Sequence, residues 1–495
     1  MTTSSPTHAA PVPPTGLPAT LGALRASGHV QRTVKAELRE NLLGRITLGG
    51  NRFPGVVGFD ETVLPDLERA ILAGHDVVLL GERGQGKTRL IRTLVGLLDE
   101  WTPVIDGAEL HEHPYDPITP GSRARVAALG DDLPVGWVHR TARYAEKLAT
   151  PDTSVGDLIG DVDPIKVAEG RTLGDPETIH FGLVPRTHRG IFAVNELPDL
   201  AERIQVSLLN VLEERDVQVR GYVLRLPLDL LLLASANPED YTNRGRIITP
   251  LKDRFGAEIR THYPLDLDLE VVLVRQEAAL VAEVPEHLLE VLARFTRAVR
   301  ESPAVDSRSG VSARFAIAAA ETVAASALRR AALLGEPTSG PAGPVARIGD
   351  ADSVTGTLRG KVEFEADGEG RELEVLDHLL RRATADTWRS RLGGLDLSGF
   401  VGAVSQGSGV AAGEAVSSAD LLAQVGTVPG LAAALVRLGL DDVPTPAQAA
   451  SAVEFVLEGL HLTRRVAKDV TDDGRVVYGG TSHDEPTEGR RRARE

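Results

Sequence analysis

The sequence predicts an α/β fold in which a parallel sheet surrounds a phosphate-binding loop, followed by a helical lid and a mostly helical C-terminal region. Two observations carry this expectation. The apolar run Asp76–Leu80 leads into Gly81-Glu82-Arg83-Gly84-Gln85-Gly86-Lys87-Thr88 and then into the helical stretch RLIRTLVGLLDE, which matches G-x-x-x-x-G-K-[ST] in its strand–loop–helix context. Short apolar strands and amphipathic helices also alternate from Phe53 to Tyr263, the pattern of a parallel sheet layered with helices.

Taken in order, residues 1–18 (MTTSSPTHAAPVPPTGLP) lack the charged start and apolar core of a secretory signal and read as a disordered arm. Residues 19–50 read as a charged helical segment, residues 51–264 as the α/β nucleotide-binding domain and residues 265–336 as a helical lid. Gly335–Gly349 is rich in Gly and Pro and reads as a linker or extended loop. The region 337–480 is expected to be mostly helical. Within it LRGKVEFE reads as a strand, EVLDHLLRRATADTWRSRL as a helix and GFVGAVSQGSGVAAGEAV as a Gly-rich loop, with helices again from Ser418 to Ala467. The polar tail 481–495 reads as disordered, and no internal repeat is visible.

Composition sets limits. The chain has 495 residues, with 70 acidic against 54 basic side chains and a formal net charge of −16, which argues against nucleic acid as the partner. That balance leaves room for a local basic site. The absence of cysteine excludes disulfides, thiolate metal sites and cysteine nucleophiles. No run approaches the roughly 20 apolar residues that span a bilayer, so no membrane role is read and a cytoplasmic protein is the default.

The glycines of the loop let backbone N–H groups turn toward an anion, and the following helix N-terminus adds its positive end. Lys87 is placed to reach the outer phosphates of ATP, and Thr88 to ligate Mg²⁺. A second strand should bring acid groups beside the metal. Ile191-Phe192-Ala193-Val194-Asn195-Glu196 has that form: four apolar residues lead into a polar pair. Glu196 is the candidate general base for the attacking water. Position 195 holds Asn where Asp is usual. It keeps an oxygen toward the metal but no charge, and Asp199, beyond Pro198, is not an obvious replacement. Taken alone, Glu196 could be an ordinary surface residue at a strand end.

These residues resemble the AAA+ ATPases of the magnesium chelatase I-subunit and MoxR group over about residues 50–335. FPGVVGFDE, HPYDP, GLVPRTHRGIFAVNELPDL, the helix LAERIQVSLLNVLEE, the hairpin DVQVRGYVLRLP, ASANPED, LKDRFG and SGVSARFAI follow that group in kind and order. The resemblance implies that Val57 and Gly58 lie against the adenine and that Asn237 is the sensor facing the γ-phosphate. It makes Arg254 the arginine finger for a neighbour's nucleotide and Arg314 the second sensor on the lid. Bland alternatives stay open: a turn cap for Asn237, a surface ion pair for Arg254 and a solvated helix position for Arg314. The resemblance further implies a homo-oligomeric ring, most often a hexamer, and a partner with a von Willebrand A metal-binding domain that the ATPase loads or remodels. Two other readings stand beside this one: a true magnesium chelatase subunit, and a nucleotide-gated binding module whose turnover Asn195 limits. His111-Glu112-His113 has poor metal-ligand spacing and reads as a polar loop. The terminal GRRRARE reads as a solvated tail.

Overall fold

The computed structural model describes residues 11–479 except 164, 166–167, 169–177, 215–216, 220–221, 225, 238–245, 307–309, 366–369, 407–408, 427, 429, 441–442 and 471–474. These residues divide into two units, Met1–Tyr263 and Pro264–Glu495.

The first unit is built on a five-stranded sheet of β1 (Val77–Leu80), β2 (Tyr144–Leu148), β3 (Gly190–Asn195), β4 (Leu230–Ala236) and β5 (Ala257–Arg260). Their spatial order is β5-β1-β4-β3-β2, and every neighbouring pair is parallel. Every residue of β1, β3 and β4 is buried, as expected where helices cover both faces of a parallel sheet. Alternate residues face opposite sides. Val77, Leu79, Ile191, Ala193, Leu231 and Leu233 join one core layer with helices Val34–Leu48, Val63–Ala73 and Lys87–Thr93. Val78, Leu80, Phe192, Val194, Leu230 and Leu232 join the other, with helices Glu202–Glu213 and Thr249–Arg254. The registers Leu80↔Ala236 and Leu148↔Asn195 bring the carboxyl ends of these strands to one edge, where open α/β sheets bind ligands.

The N-terminal segment belongs to this unit. Thr33 caps the helix Val34–Leu48, which buries Val34, Leu38 and Leu42 against the sheet. Its Glu37 takes both guanidinium nitrogens of Arg143, Nη1 and Nη2, at 2.7 Å, and accepts from the Asp99 backbone N–H at 2.6 Å. Arg143 Nε donates to the Arg189 carbonyl at 2.7 Å, so the ion pair is satisfied on several sides while buried. Lys35 pairs with Asp76, the residue ahead of β1, and Asn41 donates to the Leu97 carbonyl. Arg45 donates to the carbonyls of Arg52 and Gly96. Of the expected N-terminal arm, residues 1–10 lie outside the described residues, and Pro18 accepts a hydrogen bond from the Trp137 indole at 2.9 Å.

The second unit is largely helical around one core that runs from Val271 to Tyr478. Helix Glu286–Arg300 packs against helices Leu267–Glu277, Ala313–Leu334 and Glu372–Leu392. Three expectations change here. The segment Gly335–Gly349 is not all linker: Val345, Ala346, Arg347 and Ile348 are buried, and the Ala346 N–H donates to the Glu283 carbonyl. LRGKVEFE forms no strand but a 3-10 turn at Arg359–Lys361 and a single bridge, Val305↔Phe364. The Gly-rich stretch after Ser398 is a helix, Ser398–Gln406, and a strand, Val410–Ala412. Phe400 and Val404 stand one turn apart and are both buried, and this burial outweighs the weak helix propensity of glycine. Val410–Ala412 pairs with Val476–Tyr478, which also pairs with Lys468–Val470, in a small antiparallel sheet. The tail 481–495, with GRRRARE, lies outside the described residues.

Candidate nucleotide site

The phosphate loop runs from the end of β1 into the helix Lys87–Thr93. Gly84 and Gly86 have φ of 76° and 77°, in the left-handed region that favours glycine, and Gly86 is the helix N-cap with no side-chain cap of its own. A Cβ at Gly81 would collide with Thr261 and Gln85. Gln85 Oε1 accepts from the Glu82 N–H at 3.0 Å and from Thr261 Oγ1 at 2.9 Å. Tyr263 donates its hydroxyl to the Arg83 carbonyl at 2.8 Å. The turn is therefore shaped by its own glutamine and by the residues after β5. Lys87 is buried and donates to the Gly81 and Glu82 carbonyls, which keeps its ammonium over the loop. A buried ammonium, an uncapped helix start and a glycine-lined turn form a donor set suited to phosphate oxygens.

The end of β3 lies beside this loop. Thr88 Oγ1 donates to Asn195 Oδ1 at 3.4 Å, and Ser235 Oγ on β4 donates to the same oxygen at 3.2 Å. Asn195 Nδ2 donates to Glu146 Oε1 on β2 at 2.7 Å. This network fixes the orientation of the amide: its oxygen faces the two hydroxyls and its nitrogen faces the carboxylate. Glu146 is gripped by Arg92 of the loop's own helix, with Nε at 2.8 Å and Nη2 at 2.9 Å, and by the Tyr144 hydroxyl at 2.7 Å. The Arg92 hydrogen bond, with those of Tyr144 and Asn195, holds the Glu146 carboxyl below the usual carboxylate range. Burial pushes the Tyr144 phenol up.

Glu196 follows Asn195 with φ of 55°, a left-handed conformation that costs a non-glycine residue about 1–3 kcal/mol. Its N–H donates to Ser235 Oγ at 3.3 Å and its carbonyl accepts from the Asp199 N–H at 2.9 Å. The turn at this strand end thus sets the direction of the general-base candidate, and Asp199 serves the turn through its backbone. Asn237 is buried directly after β4, beside the Ala236 carbonyl that accepts from the Gly81 N–H at 3.1 Å.

Val57 and Gly58 lie in the loop ahead of helix Val63–Ala73. Their neighbours touch the phosphate loop's surroundings: Arg89 Nε donates to the Gly55 carbonyl at 2.8 Å, and the buried Phe59 stacks edge-on with His262. Arg254 stands apart from the loop, at the end of Thr249–Arg254, and pairs with Glu213 at 2.7 Å while half exposed. Arg314 is exposed in the first turn of Ala313–Leu334 in the second unit. Of the expected hairpin, Val217–Val219 pairs antiparallel with Tyr222–Leu224.

The polar loop at His111 does structural work. Glu112 accepts from the N–H groups of Ile118 and Thr119 and from the hydroxyls of Thr119 and Ser122, which anchors the start of helix Pro120–Leu129. His113 stacks on His29, and burial first, with nearby Arg189, lowers its pKa to about 2.

Glu146, Arg92 and Ser235 are the site residues the sequence reading missed. No motif marks them. Their partnership depends on the order of the strands, which the sequence pattern does not give.

No protein-family model matches the chain. It is 30% identical over 232 residues to the chloroplastic magnesium-chelatase subunit ChlI of Oryza sativa subsp. indica, covering 46% of this chain and 52% of that one. It is 31% identical over 244 residues to the magnesium-chelatase 38 kDa subunit of Acidiphilium rubrum, covering 46% and 63%. The chain spans about half the length of the curated relatives it matches. Among solved structures, an assembly of the BchI and BchD subunits of magnesium chelatase overlays with a TM-score of 0.34 at 22% identity, over 65% of this chain and 97% of that one. A RuvB variant from Thermotoga maritima overlays with a TM-score of 0.35 at 13% identity, over 89% and 95%.

Proposed function

We propose that this chain, an AAA+ protein related to the I-subunits of magnesium chelatase, binds and hydrolyses ATP as part of a homo-oligomeric ring and uses the cycle to remodel, or load a metal into, a partner protein. The observation that carries the reading is the approach of Thr88 to Asn195, 3.4 Å between hydroxyl and amide oxygen, with Glu196 next in the chain. It joins a phosphate loop to an acidic strand end across three strands of sheet.

In this reading the loop amides and Lys87 hold the β- and γ-phosphates, and Thr88 with Asn195 would hold Mg²⁺, which would supply charge neutralisation on the phosphates. Glu196 takes a proton from the attacking water, and Asn237 orients that water. Arg254 leaves Glu213 and reaches the nucleotide of a neighbouring subunit, and Arg314 acts as second sensor. Val57 and Gly58 border the base. A partner with a von Willebrand A domain, a hexameric ring and a cytoplasmic setting belong to the same proposal. Among the described residues no helix is long and apolar enough to cross a membrane.

One observation favours a second reading. The neutral Asn195 in the metal-facing position suits a nucleotide-gated binding module with little turnover. Calorimetry with ATP and phosphate release separate the two. Lys87→Ala should abolish ATP uptake. Glu196→Gln should keep it, with hydrolysis reduced about 10²–10⁴-fold. If wild type binds ATP and hydrolyses it no faster than Glu196→Gln, the motor reading gives way to the binding module. A porphyrin metal-chelation assay with candidate partner subunits tests the true chelatase alternative.

A further inference from the structure

We propose that Glu146 supplies the negative charge that position 195 lacks, and that Asn195 passes its effect to the metal-facing side of the phosphate loop. The inference rests on the nucleotide-binding reading above and names a positioning residue for its metal.

A metal held beside Thr88 is expected to face an anionic group at the end of β3. Asn195 is neutral there. The sheet places a carboxylate directly behind it. Glu146 on β2 is in register with Ala193, and Ala193 and Asn195 share one face of β3, so Glu146 and Asn195 stand on the same side of the sheet. The 2.7 Å hydrogen bond from Asn195 Nδ2 to Glu146 Oε1 aligns the amide dipole away from the carboxylate. The far end of that dipole, Oδ1, then gains negative character where it meets Thr88 at 3.4 Å. Asn195 and Glu146 together carry one negative charge, which the Arg92 guanidinium faces from its other side, and the total is the same as in an Asp–Gln pair with the two roles exchanged.

Glu146 also has a purely structural use. Its double hydrogen bond to Arg92 ties the loop's helix to the edge strand. That use alone requires no particular charge at position 195. The charge reading requires that positions 146 and 195 depend on each other.

The test measures Mn²⁺ affinity of the 495-residue chain saturated with ADP, by electron paramagnetic resonance, for four proteins: wild type, Glu146→Gln, Asn195→Asp and the double variant. Thermal unfolding without metal serves as the folding control. Glu146→Gln should weaken Mn²⁺ about 10–100-fold, the range for loss of an outer partner of a metal site. Asn195→Asp should bind no tighter than wild type, because it sets two carboxylates within hydrogen-bonding distance. The double variant should return to within about threefold of wild type, because it restores one carboxylate and one amide across the same hydrogen bond. If Glu146→Gln stays within twofold of wild type, or if the effects of the two substitutions simply add, the charge assignment is overturned. If Glu146→Gln unfolds early, the comparison of Asn195→Asp with wild type still decides: a marked gain in affinity rejects the proposal. ADP uptake that is lost in Lys87→Ala is measured alongside. Its absence in wild type sinks the nucleotide reading itself, whereas its presence with no role for position 146 sinks only this inference.

Discussion

Replacing Glu37 by Ala should loosen the helix Val34–Leu48 from the first unit and cost more than any surface change. Arg143 is fully buried and Glu37 is 3% exposed. The substitution removes both charge-assisted bonds to Arg143 and the bond to the Asp99 N–H, and leaves a guanidinium without its counter-charge. Breaking a buried pair from one side costs about 3–5 kcal/mol. At about 2–4 °C of melting temperature per kcal/mol for a unit of this size, the shift is roughly 6–20 °C downward. Differential scanning calorimetry of the full chain reads it directly. The companion variant, Glu37→Met with Arg143→Met, removes both charges and should recover most of the loss, because apolar replacement of a whole buried pair is often neutral. A Glu37→Ala protein that melts within 2 °C of wild type would refute the energetic role of the pair. A double variant no more stable than Glu37→Ala would show instead that lost packing, and not the stranded charge, sets the cost.

Two further outcomes are expected. Arg254→Ala should bind ATP normally but hydrolyse it about 10³-fold or more slowly, and mixing it with Lys87→Ala chains should restore part of the activity, because each lacks what the other supplies; mixing without recovery would remove Arg254 from the neighbour's site. His287 is buried against Phe455 with no hydrogen bond to either ring nitrogen, and burial lowers its pKa from 6.5 to about 3. Its folded form resists protonation, so stability is complete above pH 6.5 and falls as the pH drops toward 3, by about 1.4 kcal/mol per pH unit. Urea unfolding at pH 7.5 and pH 5 should show that His287→Phe loses about 2 kcal/mol less than wild type over this interval; equal losses would contradict the assignment.

The phosphate loop was legible in the sequence because its chemistry is local: glycines, lysine and threonine act within eight residues of each other. The strand that ends at Asn195 was legible from a second local pattern, four apolar residues ending in a polar pair. Glu146 was not. It reaches Asn195 across 49 residues and Arg92 across 54, and only the order of the strands, which periodicity does not give, brings them together. Composition misled where burial decides. Gly335–Gly349 has the look of a linker, yet Arg347 is buried and donates to the Val416 carbonyl and Ser418 Oγ. Phe400 and Val404 likewise pull a glycine-rich stretch into a helix. The helix at Val34–Leu48 was expected, but its docking depends on single charges whose partners lie far along the chain.

That docking bears on how the chain is made. Glu37 leaves the ribosome 106 residues before Arg143, and the Val34 N–H waits 195 residues for Asp229. During synthesis the helix Val34–Leu48 therefore has no sheet to rest on and presents Val34, Leu38 and Leu42 to solvent or to a chaperone. Closing such distant contacts is slow compared with forming the helix itself. A segment translated well before its partners is thus locked late, and pulse-labelled nascent chains should acquire protease resistance there only after β4 has been translated.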